Sequence, residues 1–110
     1  MKYSIKESRE ALHDVERLAA YMINPLKNRQ AASNFLDLYD KEVKRLSDFP
    51  YGYRGVSLEY RGYEIRLKVF STYNIFFIID TEENQIIILR VFKNRQNWKE
   101  ILHAENEYSF

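Results

Sequence analysis

Two short, uninterrupted apolar runs constrain the fold of this chain more than any other feature of its sequence. The runs are Ile75–Ile79 and Ile86–Leu89, and the polar segment Thr81–Gln85 lies between them. Each run is too short for a typical helix and is rich in β-branched and aromatic residues, which favour strands. We therefore predict that the two runs form an antiparallel pair at the centre of a sheet.

In the segment before these runs, apolar and charged residues alternate, as they do in a strand with one face buried and the other exposed to solvent. Three apolar residues alternate there with three charged ones, namely Ile65, Leu67 and Val69 with Glu64, Arg66 and Lys68. Since successive side chains of a strand point to opposite faces, the charged residues should share the wet face. Upstream, glycine and proline punctuate Phe49–Gly62, so we predict a loop there with one short strand near Val56–Tyr60.

The N-terminal half has the periodicity of two amphipathic helices. Tyr3–Lys6 alternates weakly, as a short strand does, and Ser8 is suited to cap the helix that follows. Apolar residues recur at three- and four-residue spacing up to Asn24-Pro25, where this helix should stop. The same periodicity returns from Asn28 to Ser47, which predicts a second helix and hence a helical hairpin.

The last predicted element is a short helix at the C-terminus. Asn97 and Glu100 have the three-residue spacing of a capping-box variant, and the tail after His103 is expected to be loose. The pattern as a whole predicts an α+β fold in a single domain, residues 1–110. In it, an N-terminal strand and a two-helix hairpin pack on an antiparallel sheet of three or four strands, and the short helix follows.

Composition narrows the classes of protein that this chain can represent. A length of 110 residues suits one domain, and the absence of cysteine excludes disulfides, thiol nucleophiles and thiolate metal sites. No apolar run approaches the roughly 18 to 20 residues that span a bilayer, and the first residues lack the apolar segment of a secretory signal. We expect a cytoplasmic protein without membrane, metal or cofactor.

The strongest functional signal is a local excess of positive charge. The chain as a whole has a formal charge of +1, yet four cations and no acid lie between Arg90 and Lys99. Phosphate is the usual partner of such a concentration. Simpler interpretations also exist: Arg66 and Lys68 as ordinary surface cations, Arg90 as a structural cation paired with Asp80 or Glu64, and Trp98 as a packing residue.

The order of elements and several residues resemble the RelE/ParE superfamily of bacterial type II toxins. The likeness lies in the charged strand from Glu64 to Lys68, in Tyr73 leading into a strand that ends at Asp80, and in Arg90-Val91 followed by Arg95 and Trp98. It implies a growth-arresting toxin that a cognate antitoxin wraps and neutralises. Two activities share this fold: RelE-type toxins cut messenger RNA on the ribosome through 2′-hydroxyl attack, whereas ParE-type toxins poison DNA gyrase and catalyse nothing.

For the RNA-cutting activity, the likeness and the chemistry together suggest a metal-free site. Cleavage needs a base for the 2′-hydroxyl proton and cations for the developing charge on phosphorus. Glu64 is the candidate base, and the remaining predicted catalytic residues are the cations Arg66, Lys68, Arg90 and Arg95. Four further residues are predicted to contact the substrate: Tyr63, Tyr73, Lys93 and Trp98. Glu64 and Asn74 stand where RelE-type toxins have cations, which argues against their lysine-based mechanism and leaves one based on Glu64.

The sequence therefore leaves three functions open. The first is a ribosome-dependent endoribonuclease with ribosome and mRNA as partners, which we place slightly ahead of the second, a non-enzymatic poison of DNA gyrase. The third is a non-catalytic module that binds another protein against its sheet. The cognate antitoxin is an expected partner for the first two.

Overall fold

The computed structural model of the protein describes residues 3–24 and 26–110. The elements in chain order are strand β1 (Ser4–Glu7), helix α1 (Arg9–Ile23), helix α2 (Arg29–Asp48), a short 3-10 helix (Pro50–Gly52), strands β2 (Gly55–Tyr60), β3 (Tyr63–Phe70), β4 (Tyr73–Asp80) and β5 (Gln85–Lys93), and helix α3 (Trp98–Ala104). The predicted α+β class, helical hairpin, strands and last helix are confirmed. Asn24 ends α1 as predicted, while Pro25 lies outside the described residues.

The strands form one five-stranded sheet in the order β1-β5-β4-β3-β2. Strands β2 to β5 are an antiparallel meander, in which the two apolar runs are neighbours as predicted. The N-terminal strand β1 joins the same sheet and pairs in parallel with β5, from Ser4 opposite Gln85 to Glu7 opposite Ile88. The meander therefore has four strands, within the predicted three or four, and β1 extends the sheet to five.

The sheet is covered on both faces, and this explains why β4 and β5 are apolar without interruption. In β4, Ile75, Phe77 and Ile79 pack in one core with α1 and α2. Phe76 and Ile78 pack in a second core on the opposite face with Leu102 of α3. Strands buried on both faces have no polar side to show, so they read as continuous apolar runs.

Side chains at the helix starts satisfy backbone groups that would otherwise lack partners. The Ser8 hydroxyl accepts a hydrogen bond from the Ala11 N–H at 2.9 Å, which confirms the predicted cap of α1. It also donates to the Leu89 carbonyl at 2.7 Å and so fastens α1 to β5. Asn97 occupies the cap position of α3 but makes no side-chain capping bond, so the predicted capping box does not form.

The C-terminal tail is packed, and the prediction that it is loose was wrong. Tyr108 is buried, with its ring 4.9 Å from the ring of Tyr60 in an edge-to-face arrangement. The Ser109 carbonyl accepts a hydrogen bond from the Arg9 N–H at 2.7 Å. The buried Tyr108 and the hydrogen bonds of Ser109, whose N–H also donates to Glu10 at 2.9 Å, thus hold the segment that was expected to be loose. None of the helices within residues 3–24 and 26–110 is long and apolar enough to cross a membrane.

Candidate functional site

Lys68 is buried against helix α2 and neutralised there. Its ammonium lies 2.9 Å from a carboxylate oxygen of Glu42 and donates a hydrogen bond to the Tyr53 hydroxyl at 2.6 Å. Only 5% of the Lys68 side chain and 10% of the Glu42 side chain are exposed. The hydrogen bond from Lys68 lowers the pKa of Glu42 below its ordinary value. The expected wet face was therefore wrong at Lys68, because α2 covers that face of β3.

Arg90 is the centre of a second internal ion cluster. Its guanidinium binds both carboxylate oxygens of Asp14 on α1, at 2.6 and 2.8 Å, and a carboxylate oxygen of Glu105 at 2.7 Å. Asp14 also accepts the Val91 N–H at 2.9 Å. Arg90 is thus paired internally, as the structural interpretation supposed, but its partners are neither Asp80 nor Glu64.

A local irregularity of β5 brings Arg90 to Asp14. Phe77 pairs with Ile88, yet the next β4 residue, Phe76, pairs with Arg90, so Leu89 is an extra residue in β5. Such a bulge turns the strand and redirects its side chains. Strand β1 pairs with β5 only as far as Ile88, and Asp14 satisfies a backbone N–H of β5 beyond that point.

Glu64 and Arg66 share the face of β3 that carries Lys68, but they lie nearer the N-terminal end of the strand. Arg66 donates a hydrogen bond to the Tyr53 carbonyl at 2.7 Å, and its guanidinium lies 5.3 Å from the centre of the Tyr51 ring. Glu64 is exposed and lies over Gly55, where any Cβ atom would overlap its carboxylate. It stands directly opposite Glu59 on β2, so two acids face each other across the strands.

Arg95 lies at the other end of the sheet. It is exposed in the turn after β5 and has a left-handed backbone conformation, with φ of 74°. The neighbouring Asn94 N–H donates to the Thr72 carbonyl, which places this turn beside the connection from β3 to β4. Arg66 precedes the end of β3 at Phe70 by four residues, a rise of about 13 Å. The structure therefore does not gather the five predicted catalytic residues around one solvent-facing point.

The four predicted substrate-contacting residues are also dispersed. The Tyr63 hydroxyl donates to Asp80 at 3.1 Å, and the Tyr73 ring packs 4.7 Å from Phe35 in the α1–α2 core. Trp98 packs 4.9 Å from Phe76 on the opposite face, as its interpretation as a packing residue predicts. Lys93 is exposed at the end of β5. Their roles in substrate binding stay predictions.

The sequence did not point to a polar cavity between the start of β2 and the start of α3. The cavity measures about 210 Å³ and is lined by Arg54, Gly55, Val56, Ser57, Trp98 and Lys99. A larger cavity of about 390 Å³ adjoins it and shares Val56, Ser57 and Lys99. Of the residues that line the smaller cavity, only Trp98 was predicted from the sequence to contact the substrate. Nothing in the sequence indicates that residues so far apart in the chain meet.

Comparisons with known proteins agree on the fold. The family described as "ParE toxin of type II toxin-antitoxin system, parDE" matches residues 5–98. No curated protein matches the chain in sequence. Among solved structures, the chromosomal ParDE TA system from P. aeruginosa has a TM-score of 0.68 at 19% identity, covering 86% of this chain and 98% of that one.

Two further structures have the same fold. The toxin–antitoxin complex RelBE2 from Mycobacterium tuberculosis has a TM-score of 0.58 at 19% identity, covering 86% of this chain and 100% of that one. A double mutant of the E. coli toxin RelE in the free state has a TM-score of 0.60 at 12% identity, covering 93% and 94%. At such identities the likeness concerns the fold.

Proposed function

We propose that this chain, which belongs to the family of ParE toxins and is thus the toxin component of a type II toxin–antitoxin module, arrests growth without catalysis, as a poison of DNA gyrase. The RelE/ParE resemblance provides two mechanisms for this fold, and fold alone does not choose between them. The placement of the predicted catalytic residues favours the non-enzymatic one.

The observation that carries this proposal is the internal neutralisation of Lys68 and Arg90. A cation that stabilises a phosphorane must be directed at the place where the charge develops. Lys68 is instead held by Glu42, and Arg90 by Asp14 and Glu105. A scissile phosphate would have to displace these carboxylates from largely buried positions, at a cost of several kcal/mol for each charge left unpaired.

The position of the candidate base supports the same choice. A base and the cations that assist it must lie within hydrogen-bond reach of one phosphate. Glu64 is the second residue of β3, and Arg95 lies beyond the opposite end of the strand at Phe70. Six residues of extended strand separate Glu64 from that end, a distance of about 20 Å. The two side chains are thus poorly placed to act together.

We also propose that a cognate antitoxin covers part of the helical hairpin. Leu12 and Ile23 of α1 are 43% and 39% exposed, and Leu36 of α2 is 39% exposed. Leu12 and Ile23 are about three helical turns apart and therefore lie on the same side of α1. A partner that packs along this side of α1 could cover both side chains.

Induction in a bacterial host and an assay with purified gyrase together test the mechanism. We expect growth arrest with intact transcripts in cells, and inhibition of supercoiling by the purified chain. Mapped transcript 5′ ends that appear on induction and require ribosomes, with normal supercoiling, would replace the gyrase proposal with RNA cleavage. A chain that changes neither transcripts nor supercoiling would leave the protein-binding alternative.

A further inference from the structure

We propose that the cavity between β2 and α3 binds a phosphate group of a nucleic acid through Arg54, Lys99 and Ser57. These residues, with Gly55, Val56 and Trp98, line a cavity of about 210 Å³. None of the predicted catalytic residues lines this cavity, although Gly55 pairs with Arg66 and lies under Glu64. It is also independent of the route by which the toxin arrests growth, so the binding test can fail while the gyrase test succeeds.

Among the described residues, the two cations of this cavity have no carboxylate partner, and the Lys99 ammonium lies 5.6 Å from the centre of the Trp98 ring. Within the described part of the chain, ion pairs form at Arg45, Lys68 and Arg90, and neither Arg54 nor Lys99 has one. Both side chains are exposed, and the cavity lining contains no carboxylate. Two unpaired cations on one concave surface attract an anion more strongly than either does alone.

An irregularity of β2 shapes the cavity. Between the pairs Gly55–Arg66 and Glu59–Glu64, β2 has three intervening residues and β3 has one, so β2 bulges away from its neighbour. Ser57, in the bulge, has a left-handed backbone with φ of 63°. The Arg54 carbonyl accepts the Leu67 N–H at 3.0 Å, which fixes the backbone at the mouth of the cavity. Ser57 thereby lines the same cavity as Arg54 and Lys99.

The adjoining cavity favours a nucleotide over an acidic peptide as the occupant. It measures about 390 Å³ and is lined by Val56 and Leu58 together with Ser57, Lys99, Glu100 and His103. A nucleotide presents a phosphate beside a flat, largely apolar base, which matches a cationic cavity next to an apolar one. Glu100 would repel a second anion from the larger cavity, whereas an acidic peptide would place negative charge in both.

Binding can be measured with a dye-labelled single-stranded oligonucleotide of roughly 12 nucleotides by fluorescence anisotropy at several salt concentrations. Each phosphate contact contributes about −0.7 to the slope of log K against log salt for a single strand. We expect Arg54→Gln and Lys99→Gln each to weaken binding and to make that slope shallower by roughly 0.7. Trp98 is the single tryptophan, so its intrinsic fluorescence should also change when inorganic phosphate binds.

Lys41→Gln and Lys44→Gln serve as matched controls. Both lysines are exposed on α2, and each substitution also removes one positive charge. All four variants should keep the melting temperature of the wild type, since they change exposed side chains. The proposal is overturned if the cavity variants bind like the α2 variants. An oligoglutamate peptide that displaces the oligonucleotide at an equal concentration of charge would assign the cavity to acidic proteins and overturn the nucleic-acid assignment.

Discussion

Removing the carboxylate of Asp14 should destabilise the protein by about 4 kcal/mol. Breaking a buried ion pair costs about 3 to 5 kcal/mol, and the low end applies because Glu105 still holds Arg90 when Asp14→Ala removes its main partner. The Val91 N–H loses its acceptor as well, which adds about 1 kcal/mol. With a typical urea slope of about 1.5 kcal/mol/M, the unfolding midpoint should fall by roughly 2.5 M.

Urea unfolding followed by circular dichroism measures this change, and Glu16→Ala is the control because it removes an exposed acid from the same helix. Adding Arg90→Met to Asp14→Ala should recover part of the loss, since the buried guanidinium that lost its main partner is then absent, and Glu105, which is 24% exposed, still accepts from the Tyr108 hydroxyl. The reasoning is refuted if Asp14→Ala costs less than about 1 kcal/mol, or if the double variant costs the sum of the two single ones.

Three further variants test the other contacts. Lys68→Met should cost about 3 kcal/mol at neutral pH, because Glu42 then keeps only the exposed Arg45 as an ion-pair partner. Because Lys68 lowers the pKa of Glu42, the pair contributes fully to the free energy of unfolding above the ordinary pKa of 4.5, and this contribution is lost as the pH falls further. Acid should therefore destabilise the wild type more than this variant. Unfolding curves taken across that pH range measure the difference. Glu64→Gln should leave toxicity in a growth assay unchanged and should not lower the melting temperature, since it relieves the repulsion with Glu59; lost toxicity in a folded variant would contradict this. Tyr108→Ala should lower stability by about 3 kcal/mol in urea unfolding, and an unchanged midpoint would show that the tail contributes nothing.

The sequence was sufficient for the order and type of the elements. The runs Ile75–Ile79 and Ile86–Leu89 predicted the paired strands β4 and β5, because local composition and burial agree there. Ser8 predicted the start of α1 for the same reason, since its capping bond is local. The buried tail escaped prediction because Tyr108 depends on Tyr60, which lies far away in the chain.

The candidate site was less predictable because its charged groups depend on distant partners. Alternation in β3 showed correctly that Arg66 and Lys68 share a face, but it cannot show that α2 covers this face at Lys68. One signal was available for Arg90. Asp14 lies within the buried stripe of α1, three residues after Ala11 and one before Val15, and a buried carboxylate requires a cation.

The bulge in β2 also bears on the tendency of this protein to aggregate at high concentration. Strand β2 is at one edge of the sheet, and an edge strand offers its free N–H and C=O groups to any other strand that approaches. The three residues between Gly55 and Glu59 interrupt the regular spacing of those groups. A second sheet is therefore poorly matched to this edge, which should disfavour edge-to-edge aggregation of the free protein.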